Sequence, residues 1–299
     1  MPLFERAADW PRRPAALPAV PPPRGALLGD PAEFRIEAAR NPHMIRAGGG
    51  LKEVDADRAR KQWEALRSAL AALGLETPVL DPVPGLVDLC FPANPSLVLR
   101  RPGAGASVWL GRMAFPCREG EVALHRSFFE ARGFRPRELP AEIRPFEGAG
   151  DGVQHPGRFL LHAGVGGRST RSAWEALARE EPGLDILLYR LQDPRFYHLD
   201  TALSPLTEET ALFVPSAFDA EGRGLLQAAF PRLLEVEEAE ALAFAANAWC
   251  PDGRRVLIEE SCHDTRRRLE REGFEAVPLP TSEYRKSGGS VFCLKQALP

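Results

Sequence analysis

Long apolar runs, surplus charge and paired cysteines are all missing from this 299-residue chain. The longest apolar stretch, ALAFAANAW at 241–249, falls far short of the ~20 residues a membrane-spanning helix needs. Lys+Arg 38 against Asp+Glu 41 leaves a net charge of −3, so the chain lacks the positive field that nucleic-acid binding requires. Neither a membrane nor a nucleic-acid partner is expected. The opening residues MPLFERAADWPRR contain no apolar core and do not read as a secretory signal. Five cysteines are an odd count and too few for a disulfide scaffold, and no CxxC or HxxxH spacing suggests zinc. With 44% hydrophobic residues, the expectation is a soluble globular protein of a reducing compartment, the cytoplasm.

Asparagine is scarcer still. Only Asn41, Asn94 and Asn247 occur, beside 29 Pro, 34 Arg and 4 Lys. A chain with so few makes each one worth placing.

Residues 1–25 hold seven Pro and four Arg without periodicity. They predict an extended tail with polyproline II character, and the domain boundary is expected near residue 30, with one domain over 31–299. The clearest helix is 55–73, where Ala59, Trp63, Leu66, Leu70 and Leu73 share a face, Asp55 caps the start and Gly74 stops it. Helices are also expected at about 119–132, 171–181, 221–230 and 263–272. Short β-rich runs precede the last four (ASVWLG, RFLLHAG, TALFVP, RRVLIEE), and others follow them (FRPRELP, DILLYRL, RLLEVEE, FEAVPLP).

The unit is strand–helix–strand, repeated. The strand centres Val108, Leu160, Leu212 and Leu257 are 52, 52 and 45 residues apart. A period near 50 signals a repeat architecture. Asn41, Asn94, Glu147, His198, Asn247 and Cys293 fall on a similar ladder, separated by 53, 53, 51, 49 and 46 residues. If each repeat is one blade of a ring, these positions converge on its axis, and the two chain ends share a blade. The fold class predicted is a five-bladed α/β propeller with one polar pocket at its centre.

Four segments carry candidate chemistry. Cys293 follows the Gly288–Gly289 turn in TSEYRKSGGSVFCLKQALP, and is either a buried structural thiol or a nucleophile. In FYHLDTALSPL, His198 and Asp200 sit two apart and share a face if the backbone is extended. Such a pair suits a general acid–base group beside a cation-binding carboxylate, although a solvated His reads equally well. FEGAGDG puts Glu147 and Asp151 in a glycine-rich turn. GVGGRSTRSAW lacks the nucleotide-loop spacing, but it suits a small anion held by Arg168. Arg112 takes the corresponding place in the preceding repeat.

Together, Asn41-Pro42, DLCFPAN, Arg112, FEGAGD, GGRST, FYHLDT and SEYRKSGG…C resemble the guanidino-group-modifying enzymes. These are the arginine deiminases, dihydrolases, dimethylarginine dimethylaminohydrolases and amidinotransferases. The resemblance spans about 35–299, and its family fold is the same five-bladed propeller. It implies that Cys293 attacks the guanidinium carbon and that His198 protonates the leaving amine, then activates water. It places Asp200 and Glu147 toward the guanidinium, Glu147 through His198 as one option. Arg112 and Arg168 would hold the substrate α-carboxylate, with Asn41, Asn94 and Asp151 completing the substrate-binding set.

Asn94 with Asn41 looks most like the arginine dihydrolases, which carry arginine through citrulline to ornithine. The expected partner is a small arginine-like molecule, and oligomeric state is left open. The chemistry asks for no metal and no cofactor. A guanidinium is a poor electrophile, and a thiolate formed beside the substrate's own charge divides the hydrolysis into two easier steps. The alternatives are release of dimethylamine from dimethylarginine, amidino transfer to an acceptor amine, and a non-catalytic propeller like the ribosome anti-association factor. An activated Cys293 would alkylate with iodoacetamide near neutral pH.

Overall fold

Runs such as LLHAGV and DILLYR have no polar alternation, so neither face tolerates water and both must be covered. In the computed structural model, which describes residues 3–103 and 105–299, they form the parallel strands Leu160–Val165 and Asp185–Arg190. Helix Arg171–Glu180, capped by the Thr170 hydroxyl, connects them. The antiparallel strand Gly152–Gln154 lines the opposite edge of Leu160–Val165.

The same plan recurs around the ring. Thr210–Phe213 pairs in parallel with Arg232–Glu235 across helix Ala220–Ala229, and antiparallel with Leu203–Pro205. Arg255–Glu259 pairs in parallel with Glu275–Leu279 across helix His263–Arg271, with a bridge from Trp249 to Leu257 on the other side. Ser96–Arg100 pairs antiparallel with Ala106–Leu110, ahead of helix Glu119–Ala131. The first blade holds Gly25–Gly29, in parallel with Val79–Leu80 beyond helix Ala56–Ala72. Its other edge takes Gln296–Leu298 antiparallel, so both chain ends close one sheet. Five sheets result, and the fold is the expected α/β propeller.

FRPRELP does not form a strand. It contributes one bridge, Arg137 to Trp109, because Pro136 and Pro140 have no N–H to extend the ladder. No helix among the described residues is long and apolar enough to cross a membrane.

The expected N-terminal tail also differs. Leu3 and Phe4 pair with Ile186 and Leu187, and Ala19 bridges to Arg158. Trp10, Leu17 and Val20 are buried, and the Trp10 indole donates to Asp185 Oδ2 at 2.9 Å. Gly25–Gly29 is fully buried strand. The segment is extended but strapped down, and the boundary expected at residue 30 cuts through the first blade. The few apolar residues among the prolines are what dock it.

Trp10 is therefore an anchor. Trp10→Ala should cost ~3–5 kcal/mol, read as a lower urea midpoint with an unchanged slope. A cost below ~1 kcal/mol would mean that the strap is ornamental.

Candidate active site

The polar ladder meets on the ring axis. Glu147 precedes and Asp151 ends the short helical turn Gly148–Asp151, whose glycines are dictated by crowding. A Cβ on Gly150 would lie 2.4 Å from Asn94 Nδ2 and 3.1 Å from His198 Nδ1. The close approach that glycine allows here is to the protein's own side chains.

His198 is held between two carboxylates. Its Nε2 lies 3.0 Å from Glu147 Oε2 and its Nδ1 lies 3.1 Å from Asp151 Oδ1. Burial opposes its charge, but Asp151 and Glu147 outweigh that and raise its pKa to about 9. Burial would likewise raise Glu147. Its contacts with His198, Arg168 and Arg118 instead hold it near 2. The ring is thus an imidazolium at neutral pH. Asn94 Nδ2 lies 3.2 Å from Nε2 while its Oδ1 accepts from Arg118 Nη1 at 3.1 Å. An imidazolium offers no acceptor, which leaves that Asn94 amide group free toward the cavity.

Cys293 sits on the far side. Its thiol donates to Asp200 Oδ2 at 3.1 Å and accepts from Asn247 Nδ2 at 3.2 Å. Asn247 Oδ1 accepts from the backbone of Ser290, Phe292 and Cys293, and its Nδ2 also donates to Asp200 O. One amide thus ties the thiol, the backbone carbonyl of Asp200 and the turn before the thiol. Asn247 stands on the ladder yet was outside the expected site set. Burial raises Asp200 to about 6 against the pull of His198. Burial, then the charge of Asp200, pushes the Cys293 thiol well up. Cys293 is only 4% exposed, and both causes favour the neutral thiol in the free protein.

A cavity of about 30 Å³ opens beside Cys293 and His198, lined also by Asn94, Arg40, Arg118 and Arg168. Arg168 donates to Glu147 Oε2 and to Arg40 O, and its guanidinium lies against the Phe115 and Tyr197 rings. Asn41 donates to Ser287 O at 2.9 Å and lines the same cavity. Gly288 has φ +90°, and a Cβ there would lie 2.8 Å from Asn41 and 2.7 Å from the Tyr197 hydroxyl.

Three expectations change. Arg112 is not at the site. Its backbone exchanges hydrogen bonds with Phe146, and its side chain runs outward to Leu139 O and Glu138. Arg118 lines the cavity instead, fixed by a two-point pair with Glu121. It stands 50 residues before Arg168, whereas Arg112 stands 56 before it; the ladder's own period was the signal. Asp151 lies behind His198 and does not line the cavity. Asp200 and His198 diverge because the extended backbone at His198 turns over at Leu199–Thr201, which sends Asp200 behind the thiol.

No family model matches the chain. It is 34% identical over 273 residues to the N(G),N(G)-dimethylarginine dimethylaminohydrolase of Mycobacterium tuberculosis, covering 91% of this chain and 85% of that one. It is 33% identical over 271 residues to the bifunctional arginine dihydrolase/ornithine cyclodeaminase AgrE of Nostoc sp.. There it covers 90% of this chain but spans only 37% of the relative. The solved N-terminal domain of ArgZ, an arginine dihydrolase from cyanobacteria, superposes with a TM-score of 0.84 at 31% identity, covering 92% of this chain and 97% of that domain. The chain belongs to the pentein-type guanidino-modifying enzymes, the family of these dihydrolases and dimethylaminohydrolases.

The raised pKa of His198 has a consequence for stability. Its protonated form stabilises the fold fully below about pH 6.5, and that contribution is lost as pH rises through about 9. The loss should reach ~3 kcal/mol. Urea unfolding between pH 6 and 9.5 measures it, and Asp151→Asn should flatten the slope. An unaltered slope in the variant would show that His198 is not charged in the folded state.

Proposed function

We propose that the chain is a hydrolase of carbon–nitrogen bonds in linear amidines, acting on free arginine in the manner of a dihydrolase. The observation that carries this reading is the pairing across one small cavity of a thiol bonded to a buried carboxylate with an imidazolium held by two more. The Asn94 amide and three arginines stand among the other walls.

In this mechanism the substrate guanidinium enters beside Cys293, and its positive charge favours the thiolate. The thiol proton passes to Asp200 Oδ2. Sulfur bonds to the guanidinium carbon, and His198, already protonated, gives its proton to the departing ammonia. Neutral His198 then takes a proton from water, whose oxygen attacks the same carbon. The carbon–sulfur bond breaks, the proton on Asp200 returns to sulfur, the hydroxyl proton passes to the released ammonia to give ammonium, and citrulline is formed. A second round on citrulline releases ammonia and carbon dioxide and leaves ornithine. Glu147 and Asp151 act through His198, while Arg168 and Arg118 receive the substrate carboxylate by charge-assisted bonds.

A cavity of about 30 Å³ is smaller than arginine, so the wall between Asn41 and Ser287 and between Tyr197 and Gly288 has to part on binding. A cytoplasmic setting belongs to the same reading.

The mycobacterial relative favours a second substrate, dimethylarginine, with release of dimethylamine. Each methyl group removes an N–H donor and adds bulk in a cavity this small, so free arginine is expected to be preferred. Incubation with arginine, citrulline and dimethylarginine, with amine and amino-acid products quantified, decides between them. Ammonia and ornithine support the proposal, and faster turnover of dimethylarginine overturns its substrate.

Two variants test the roles. Cys293→Ser should lower turnover by on the order of 10³-fold or more; retention of a tenth of wild-type activity in a folded variant removes Cys293 as nucleophile. Asp200→Asn should lower kcat/KM by ~10²–10³-fold, and an unchanged value means that Asp200 takes no part.

A further inference from the structure

The ring holds a second cavity, about 850 Å³, that shares no lining residue with the first. The segment Phe292–Lys295 divides them: Cys293 lines the small cavity, while Phe292 and Lys295 line the large one. Its size is that of a metabolite site. Two buried cations without partners face it.

Arg100 ends the strand Ser96–Arg100 and is 8% exposed. Among the described residues its guanidinium donates no hydrogen bond and meets no carboxylate within 4 Å, and its Nε is buried and unpaired. Its backbone is pinned by Gln154, which accepts from Arg100 N and donates to Arg100 O. Lys295 is 1% exposed. Its ammonium lies over the Phe292 and Trp249 rings and makes no hydrogen bond among the described residues. In a chain with 34 Arg and 4 Lys, a lysine survives here, where a compact charge fits between two rings.

The acidic residues lining this cavity do not answer these charges. Glu208 is engaged by Arg158 and Asp252 by Arg255, and Glu76 is solvent-exposed. Buried cations are ordinarily paired. Two left open in one apolar-walled cavity focus a positive field on its interior.

We propose that this second cavity is a binding site for a small organic anion, its carboxylate or phosphate head held by Arg100 and Lys295. Trp249, Phe292 and Val98 give the body of such a ligand apolar walls. Burial brings Lys295 down to about 7, against the pull of Asp200 and Cys293, and a bound anion would keep it charged. No residue of this site lines the small cavity, although Lys295 feels the charges of Asp200 and Cys293 across the dividing segment.

The test is titration of the full chain with inorganic phosphate, acetate and citrate by calorimetry and thermal shift, against chloride at equal ionic strength. At least one of the three should bind and raise Tm, and their ranking separates a phosphate head from a carboxylate. Arg100→Gln should weaken that binding roughly tenfold or more and leave arginine turnover in place. If it does not fold, Arg100→Lys keeps a cation but loses the planar fork, and binding should weaken several-fold. No response beyond chloride, or unchanged affinity in the folded variant, overturns the proposal.

Discussion

An imidazolium clamped between two buried carboxylates is what the centre of this ring is built around. Glu147, Asp151 and His198 are almost wholly removed from water, where unpaired charges would be prohibitively costly. They persist because separate repeats bring the partners. The third blade supplies both carboxylates and the fourth the imidazole. Arg168 and Arg118 then complete the charge of Glu147, and Ser169 accepts from its backbone N–H. Remove the ring and the ions have no reason to meet; remove the ions and the axis is a polar hole.

The division of labour follows from this. Outer strands and helices are apolar and interchangeable in plan, with Trp174 and Trp109 filling the wedges between blades and sending their indole N–H groups to Gly164 O and Glu181. The axis is specific atom by atom. Asn247 shows it best: a single amide accepts three backbone N–H groups and donates to both Asp200 O and the Cys293 thiol. Aspartate in its place would keep the acceptor but turn the donor into a negative charge beside the sulfur.

Much of this is legible in the sequence, for a physical reason. A propeller repeats its backbone, so residues that meet at the axis recur at the repeat length, and rare polar types stand out against it. Asn41, Asn94, Glu147, His198 and Cys293 were found that way. Arg118 was missed because Arg112 sits just after a strand, at the place where Arg168 seemed to belong, although the spacing of 50 favoured Arg118. Asp151 and Asp200 do lie near the axis but aim elsewhere than expected, since each sits in a short helical turn that decides where its side chain points and leaves no periodic trace. The N-terminal strap was opaque for a different cause. Proline-rich sequence reads as unpacked, and only Trp10, Leu17 and Val20 betray the docking.

Ring closure adds a constraint on how the molecule comes into being. The strand that latches the first blade, Gln296–Leu298, follows within a few residues of Cys293. During synthesis, the barrel of blades stays open until the proposed nucleophile has already been made. A chain interrupted before residue 293 lacks both the latch and the thiol, and only the few residues between Cys293 and Gln296 separate the two. The latch and the proposed nucleophile thus lie on one short segment, so whatever closes the first blade also seats the sulfur.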